Sequence, residues 1–388
     1  MNIGESVRAN ADVVIIGGGI IGFSVAFHLA KMKFGQIVLV EKEAMIGEGS
    51  TSQAAGGIRA QFAQRVNVEM SIMSQKFFKN FYQETGSTAL FDQVGYLFLL
   101  QNDSDIAVFK ESCQMQCELG LPVQILEPKE ILKIAPHVNV EDIKLGTFCK
   151  EDGIADPWEF LVGFEKAARR MGVEIELGAE VTGIETVAGE ITAVQTKKGK
   201  IKTPLIVNCA GAYSRKIGEM VGAKVEVDPY KRQIVTTGEL DFVKPTFPMV
   251  VDVGSGLYCH NESKGLLLGW ADKNRKPSFD ISVEPDYTDA ILEKALLRIP
   301  QLETAEMANQ WAGLYESTPD HLAVIGWEPE VKGMFHCCGF SGHGIMHAPA
   351  AGRITAETIS GKQPSIDILS LSPERFAKGA LVVETNVI

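Results

Sequence analysis

The chain of 388 residues reads as an α/β (α+β) fold, in which a layered parallel-sheet domain is joined to a second, mainly antiparallel β-sheet domain. Three observations point there. Between residues 12 and 41 an apolar strand, a glycine-rich turn, a helix and a second buried strand follow one another, a crossover of about thirty residues. The same style returns at 205–211 and closes the chain from 334 onward. Between these, from about 224 to 312, strands dominate.

The elements follow in order. Residues 12–16 form the first strand, the helix runs to about Lys31, and 36–40 form the second strand, ending at Glu41. Residues 47–58 are rich in Gly, Ser, Thr and Ala, which suits an extended loop lying against another surface. Apolar positions at helical spacing predict a helix over 66–84, and an amphipathic one over 157–171. Strands follow at 174–177, 180–185 and 191–197, with turns at Gly189 and Gly199. In the strand-rich stretch 265–270 is the clearest strand, and one helix is expected near 289–298. The last helix ends at Gly361, a sound position for a left-handed cap. We divide the chain into one domain assembled from residues 10–90, 150–222 and 318–375, and another from 91–149 and 223–317.

Composition narrows the function. With 45% hydrophobic residues the chain can bury a large core, which argues against disorder. A net charge of −12 without any basic block argues against nucleic acid and anionic lipid as partners. The seven cysteines have no spacing suited to a metal. Cys113 and Cys117 lie in a predicted helix, and Cys337 and Cys338 are neighbours in a strand, pointing to opposite faces. Reduced buried thiols and a cytoplasmic location are the expectation. The apolar run 13–30 contains four glycines, Ser24 and His28, and no basic region or cleavage site precedes it. A buried strand, turn and helix therefore explains it better than a membrane span.

The chemistry starts at the first turn. Gly17, Gly19 and Gly22 form G-x-G-x-x-G between strand and helix, and Glu41 follows nineteen residues after the third glycine. Gly17 permits a tight turn, Gly19 lets a pyrophosphate approach the backbone, and Gly22 permits close packing. The helix N-terminus meets the phosphate charge, and Glu41 can accept hydrogen bonds from ribose hydroxyls. That pattern serves FAD and NAD alike. The strand ending at Ala210-Gly211 and the segment 338–344 before the last helix suggest a cofactor held from several sides.

At this point the sequence resembles the FAD-dependent D-amino-acid oxidase superfamily, in particular its sarcosine oxidase and sarcosine oxidase β-subunit branch. The resemblance covers nearly the whole chain. It rests on GGGIIG at 17–22, GSTSQAAGGIR at 49–59, DGIADP at 152–157, NCAGAYS at 208–214, WAGLYESTPDHLAVIG at 311–326 and GFSGHGIMHAPAAG at 339–352. It implies one FAD, held by the turn at Gly17, Gly19, Ile21 and Gly22 and by Glu41 with Lys42. The loop residues Gly49, Ser50, Thr51 and Gly57 would contribute, together with Val181, Ala210 and Gly211. Gly313, Gly339, Gly342, His343, Gly344 and Ile345 complete the set.

Hydride arrival at flavin N5 leaves negative charge over N1 and the C2 carbonyl. Backbone amides at 342–346, opening a helix, would stabilise it, with His343 as a further donor. The resemblance implies that Arg59 holds a substrate carboxylate, which its planar fork suits. Tyr315 and Tyr258 are placed near the substrate. Gly313 stands where monomeric sarcosine oxidase attaches flavin to a cysteine, so FAD is expected to be non-covalent. Leu267 stands where that enzyme has a lysine promoting reaction with oxygen, and Lys264 is expected on the opposite strand face. Met346 stands where a second cation for the carboxylate would be.

The function implied is FAD-dependent oxidation of a small amino acid or secondary amine (sarcosine, glycine or proline-like). Two alternatives stay open: oxidation of a 2-hydroxy acid or glycerol phosphate, and a non-catalytic flavoprotein subunit or assembly factor. A partner subunit or separate electron acceptor fits the same resemblance.

Overall fold

The computed structural model describes residues 7–386. A six-stranded sheet runs in the order Val324–Trp327, Met334–Cys338, Ile206–Asn208, Val13–Ile16, Ile37–Val40, Glu174–Glu176. All neighbours are parallel except the first pair. Parallel strands are covered on both faces, which is why VVII and IVLV are apolar and buried throughout. One face packs against helices Ile20–Lys31, Arg65–Lys79, Pro157–Arg170 and Gly344–Ile359. The other is covered from the antiparallel ribbon Val181–Val187, Glu190–Thr196, Gly199–Lys202. The first and last of these four helices approach at Gly352, where an added Cβ would stand 2.3 Å from Ser24 Oγ. That hydroxyl donates to the Ala348 carbonyl at 2.7 Å.

An eight-stranded sheet runs Met307–Ser317, Asp228–Thr237, Gly265–Trp270, Leu257–Glu262, Met249–Asp252, Tyr96–Leu100, Leu145–Cys149, Val123–Leu126. It is antiparallel but for the pair Met249–Asp252 and Tyr96–Leu100. Strand alternation gives it two apolar faces. Leu97, Val250, Cys259 and Leu268 face helix Pro285–Arg298, which supplies Tyr287, Ile291 and Ala295. Tyr96, Met249, Tyr258, Leu267 and Ile234 face the other way. A small sheet of Gly57–Ile58, Gly153–Ala155 and Phe91–Asp92 lies beside them.

Two helices differ from the sequence reading. The stretch expected as one helix over 66–84 is two, Arg65–Lys79 and Phe81–Thr85. Asn80 leaves the helical region between them, and its side chain donates to the Lys76 carbonyl at 2.8 Å, a local bond that competes with the helix. The helix expected near 289–298 begins at Pro285, because proline is tolerated in a first turn. Among the described residues no helix is long and apolar enough to cross a membrane.

Candidate active site

A cavity of about 380 Å³ is lined from both large sheets. At one end lies the glycine turn. Gly17 has φ +119°, and a Cβ there would stand 2.3 Å from the Cys209 carbonyl oxygen. A Cβ on Gly22 would stand 2.0 Å from Gly17 O, so the third glycine lets the helix close on its own turn. Gly19 is different: a Cβ there meets only Thr51 Oγ1, at 3.3 Å, and otherwise enters the cavity. No side chain of its own caps helix Ile20–Lys31, whose Ile20 N–H donates to Thr51 Oγ1 at 3.2 Å. Glu41 borders the cavity while accepting from Gly18 N–H at 2.6 Å and Glu43 N–H at 2.9 Å, so it braces the turn as well. Lys42 lies over the Tyr213 ring at 4.6 Å and Lys216 over Phe279 at 4.0 Å.

At the other end the loop 47–58 is tied to strand Met307–Ser317. Ser50 Oγ donates to Leu314 O at 2.7 Å, and Trp311 Nε1 donates to Gln53 O at 3.2 Å. Gly313 lies under Gln53, whose Cβ an added methyl would meet at 2.6 Å. Helix Gly344–Ile359 opens on the cavity with Gly344, Ile345 and Met346. The chamber here is walled by Tyr96, Ile234, Met249, Tyr258, Tyr315 and Met346. Burial pushes the Tyr258 hydroxyl well above its ordinary range, so it is a neutral donor.

Most residues expected at the site border this cavity: Gly17, Gly19, Ile21, Glu41, Lys42, Gly49, Ser50, Thr51 and Gly57 do. So do Val181, Ala210, Gly211, Gly313, Gly342, Gly344 and Ile345, with Tyr258, Tyr315 and Met346. Four do not. Gly22 and Gly339 act in packing, a Cβ on Gly339 standing 2.7 Å from Thr318 Cγ2. His343 is buried behind the wall, edge-on to Phe62, and burial beside Arg59 holds its pKa well below the ordinary value.

Arg59 lies apart from the lining. It is 1% exposed and outside the cavity lining, its guanidinium over the Phe62 ring at 3.8 Å. Its terminal nitrogens donate to the carbonyls of Gln61 and Asn386, and Nη2 lies 3.4 Å from His343 Nε2. The C-terminal segment has taken the fork expected to hold a carboxylate. Leu267 does lie on the chamber side, whereas Lys264 precedes its strand and pairs with Glu239 at 2.9 Å.

The sequence reading missed Arg232, Glu316, Tyr96 and Met249, all of which border the cavity. Only the strand register signals them. Arg232 pairs with Gly313 across the ladder, and Tyr96 pairs with Met249. Glu316 Oε1 accepts from Phe340 N–H at 3.3 Å, while Oε2 is buried with no partner among the described residues. Burial raises its pKa to about 7.

Residues 12–358 match the family model described as FAD dependent oxidoreductase. The chain belongs to that family. Its cofactor is FAD, and it is an FAD-dependent oxidoreductase. The chain is 31% identical to FAD-dependent oxidoreductase domain-containing protein 1 of Xenopus laevis, over 99% of this chain and 86% of that protein. Mitochondrial dimethylglycine dehydrogenase of Rattus norvegicus is 29% identical over 96% of this chain, which spans only 45% of that longer protein. Among solved structures, L-proline dehydrogenase from P. horikoshii superposes with a TM-score of 0.90 at 32% identity, covering 97% of this chain and 100% of that one. The residues present fit FAD. The face of Gly19 is open where a Cβ would intrude on a phosphate, Glu41 stands at the end of the second strand, and the cavity continues past Gly313 into the aromatic chamber.

Proposed function

We propose that this family member oxidises a small amino acid with a secondary, cyclic or primary amine, of the sarcosine, proline or glycine kind. The observation that supports it is the chamber. Three tyrosines, two methionines and Ile234 leave room for a small apolar body, and an arginine borders the same wall. Two of the relatives named above, dimethylglycine dehydrogenase and L-proline dehydrogenase, act on an N-methylated and a cyclic amino acid by their printed names, which agrees with that shape. FAD, when bound, supplies the two-electron acceptor.

The protein's part is binding, orientation and exclusion of water. An apolar wall disfavours a charged amine, so the substrate is held in its neutral form with a lone pair free. Loss of hydride from the adjacent carbon then leaves an iminium ion, which after release adds water and separates into a carbonyl compound and the protonated amine. Tyr258 and Tyr315 offer hydroxyls to the amine side, and the first turn of helix Gly344–Ile359 presents backbone N–H groups toward the cavity.

The test is an anaerobic screen of the FAD-loaded protein with sarcosine, dimethylglycine, proline and glycine, alongside lactate and glycerol phosphate. Bleaching of the flavin absorbance by an amino acid is expected. Bleaching by hydroxy acids alone, or by none of the set, would overturn the reading.

A further inference from the structure

A guanidinium with no acid partner among the described residues stands in the chamber wall. Arg232 lies on strand Asp228–Thr237 directly across from Gly313, and both border the cavity. Residues paired across an antiparallel ladder share a face and alternate residues return to it, so Arg232 looks the same way as Gly313 and, two pairs along, Tyr315. Its guanidinium lies over the Tyr315 ring at 5.0 Å. Among the described residues Nη1 reaches only the carbonyl of Lys231, at 3.1 Å, and the buried Nε has no partner. Lys216, which also borders the cavity, lies over the Phe279 ring, whereas three other cations are committed to acids. Lys231 holds Asp280 and Glu284, Arg275 holds Asp272 and Glu284, and Arg298 holds Asp142 and Asp252. Buried donors are normally satisfied, and an open one facing a cavity marks a place for an acceptor from outside the chain.

We propose that Arg232 anchors the carboxylate of the substrate. The inference rests on the reading of the substrate as an amino acid. Arg59 is closed to that role by the carbonyls of Gln61 and Asn386, and Met346 offers no charge. Arg232 presents a planar fork that suits two carboxylate oxygens, while the tyrosines beside it take the amine-bearing carbon. A carboxylate is then a requirement for binding, and simple amines are excluded.

The experiment titrates the oxidised, FAD-loaded protein with acetate and, separately, with its neutral isostere acetamide, following the flavin spectrum. In Arg232→Ala the acetate Kd should rise about 10- to 100-fold, the loss of one charge-assisted contact, with acetamide unchanged and FAD retained. Arg232→Lys should recover part of it. Arg59→Ala should leave acetate binding as in the parent protein. The proposal fails if Arg232→Ala binds acetate normally, if Arg59→Ala loses it instead, or if the parent protein shows no acetate response. The two readings separate cleanly. Acetate binding through Arg232 without bleaching by any amino acid leaves the anchor standing and removes the substrate assignment. Bleaching by amino acids with unaltered acetate binding in Arg232→Ala does the reverse.

Discussion

Glu316 shows how one buried side chain couples this site to pH. Its carboxyl borders the cavity, has one unpartnered oxygen, and is raised from 4.5 to about 7 by burial, against the backbone N–H groups of Phe340 and Gly339. A carboxyl raised in the folded state favours folding below its unfolded pKa, and that contribution is lost as pH climbs through the folded value. Between pH 4.5 and 7 this group alone should therefore cost FAD-stripped protein about 3 kcal/mol. Asp152, buried and raised to about 6 also chiefly by burial, works in the same direction. The contribution of Glu316 is isolated by comparing urea unfolding of the parent protein and Glu316→Gln at pH 5 and pH 8. The variant should lose less stability over that interval. Equal losses would show that Glu316 does not titrate there.

Among the elements, the C-terminal segment does more than its sequence suggests. Helix Arg65–Lys79 begins after Gln64 without a side-chain cap of its own. Glu384 supplies the acceptors instead, receiving the N–H groups of Ala63 at 2.8 Å and Gln64 at 3.0 Å and the Asn67 amide at 2.9 Å. It is buried, and its own N–H is tied to the Asp320 carbonyl at 2.9 Å. The same segment places the Asn386 carbonyl on Arg59. Glu384→Ala should cost about 1–3 kcal/mol, because several donors are left in the interior without an acceptor. The measurement is the urea midpoint of the FAD-loaded protein. Limited proteolysis should also find cleavage near the C-terminus sooner in the variant than in the parent, whereas an unmoved midpoint and cleavage rate would show that the clamp contributes nothing.

In the molecule as a whole, one cavity is lined from the two large sheets, with Gly17, Gly19 and Glu41 at one end and Arg232, Tyr258 and Tyr315 at the other, the place proposed for FAD. FAD bound there links their stabilities, adding about 2.7 kcal/mol at a free concentration one hundred times Kd. No thiol stands at position 313 to trap the flavin. Among the described residues the two cysteines that border the cavity are Cys209, packed against Gly17 and Gly22, and Cys337. Acid precipitation should accordingly release all FAD into the supernatant. Yellow colour retained in the pellet would contradict a non-covalent cofactor.

The nucleotide end was legible because its information is local. A glycine with positive φ, a helix that must approach its own turn, and an acid at the end of the next strand are written in adjacent residues, and the structure places Gly17, Gly19 and Glu41 around the cavity. The same is true of the apolar strands, whose burial follows from composition. Even helix Pro128–Ile134, which the reading passed over, carries its signal in Glu127, Pro128 and Glu130 as a capping box. The substrate end was not legible in this way. Arg59 and Arg232 are equivalent as letters, and each lies in a plausible segment. Which one faces the cavity depends on a carbonyl 327 residues away at Asn386 and on the register that sets Arg232 against Gly313. Satisfaction of a buried charge depends on whatever the folded chain brings within hydrogen-bonding distance, and that is a property of long-range packing, not of neighbours in sequence.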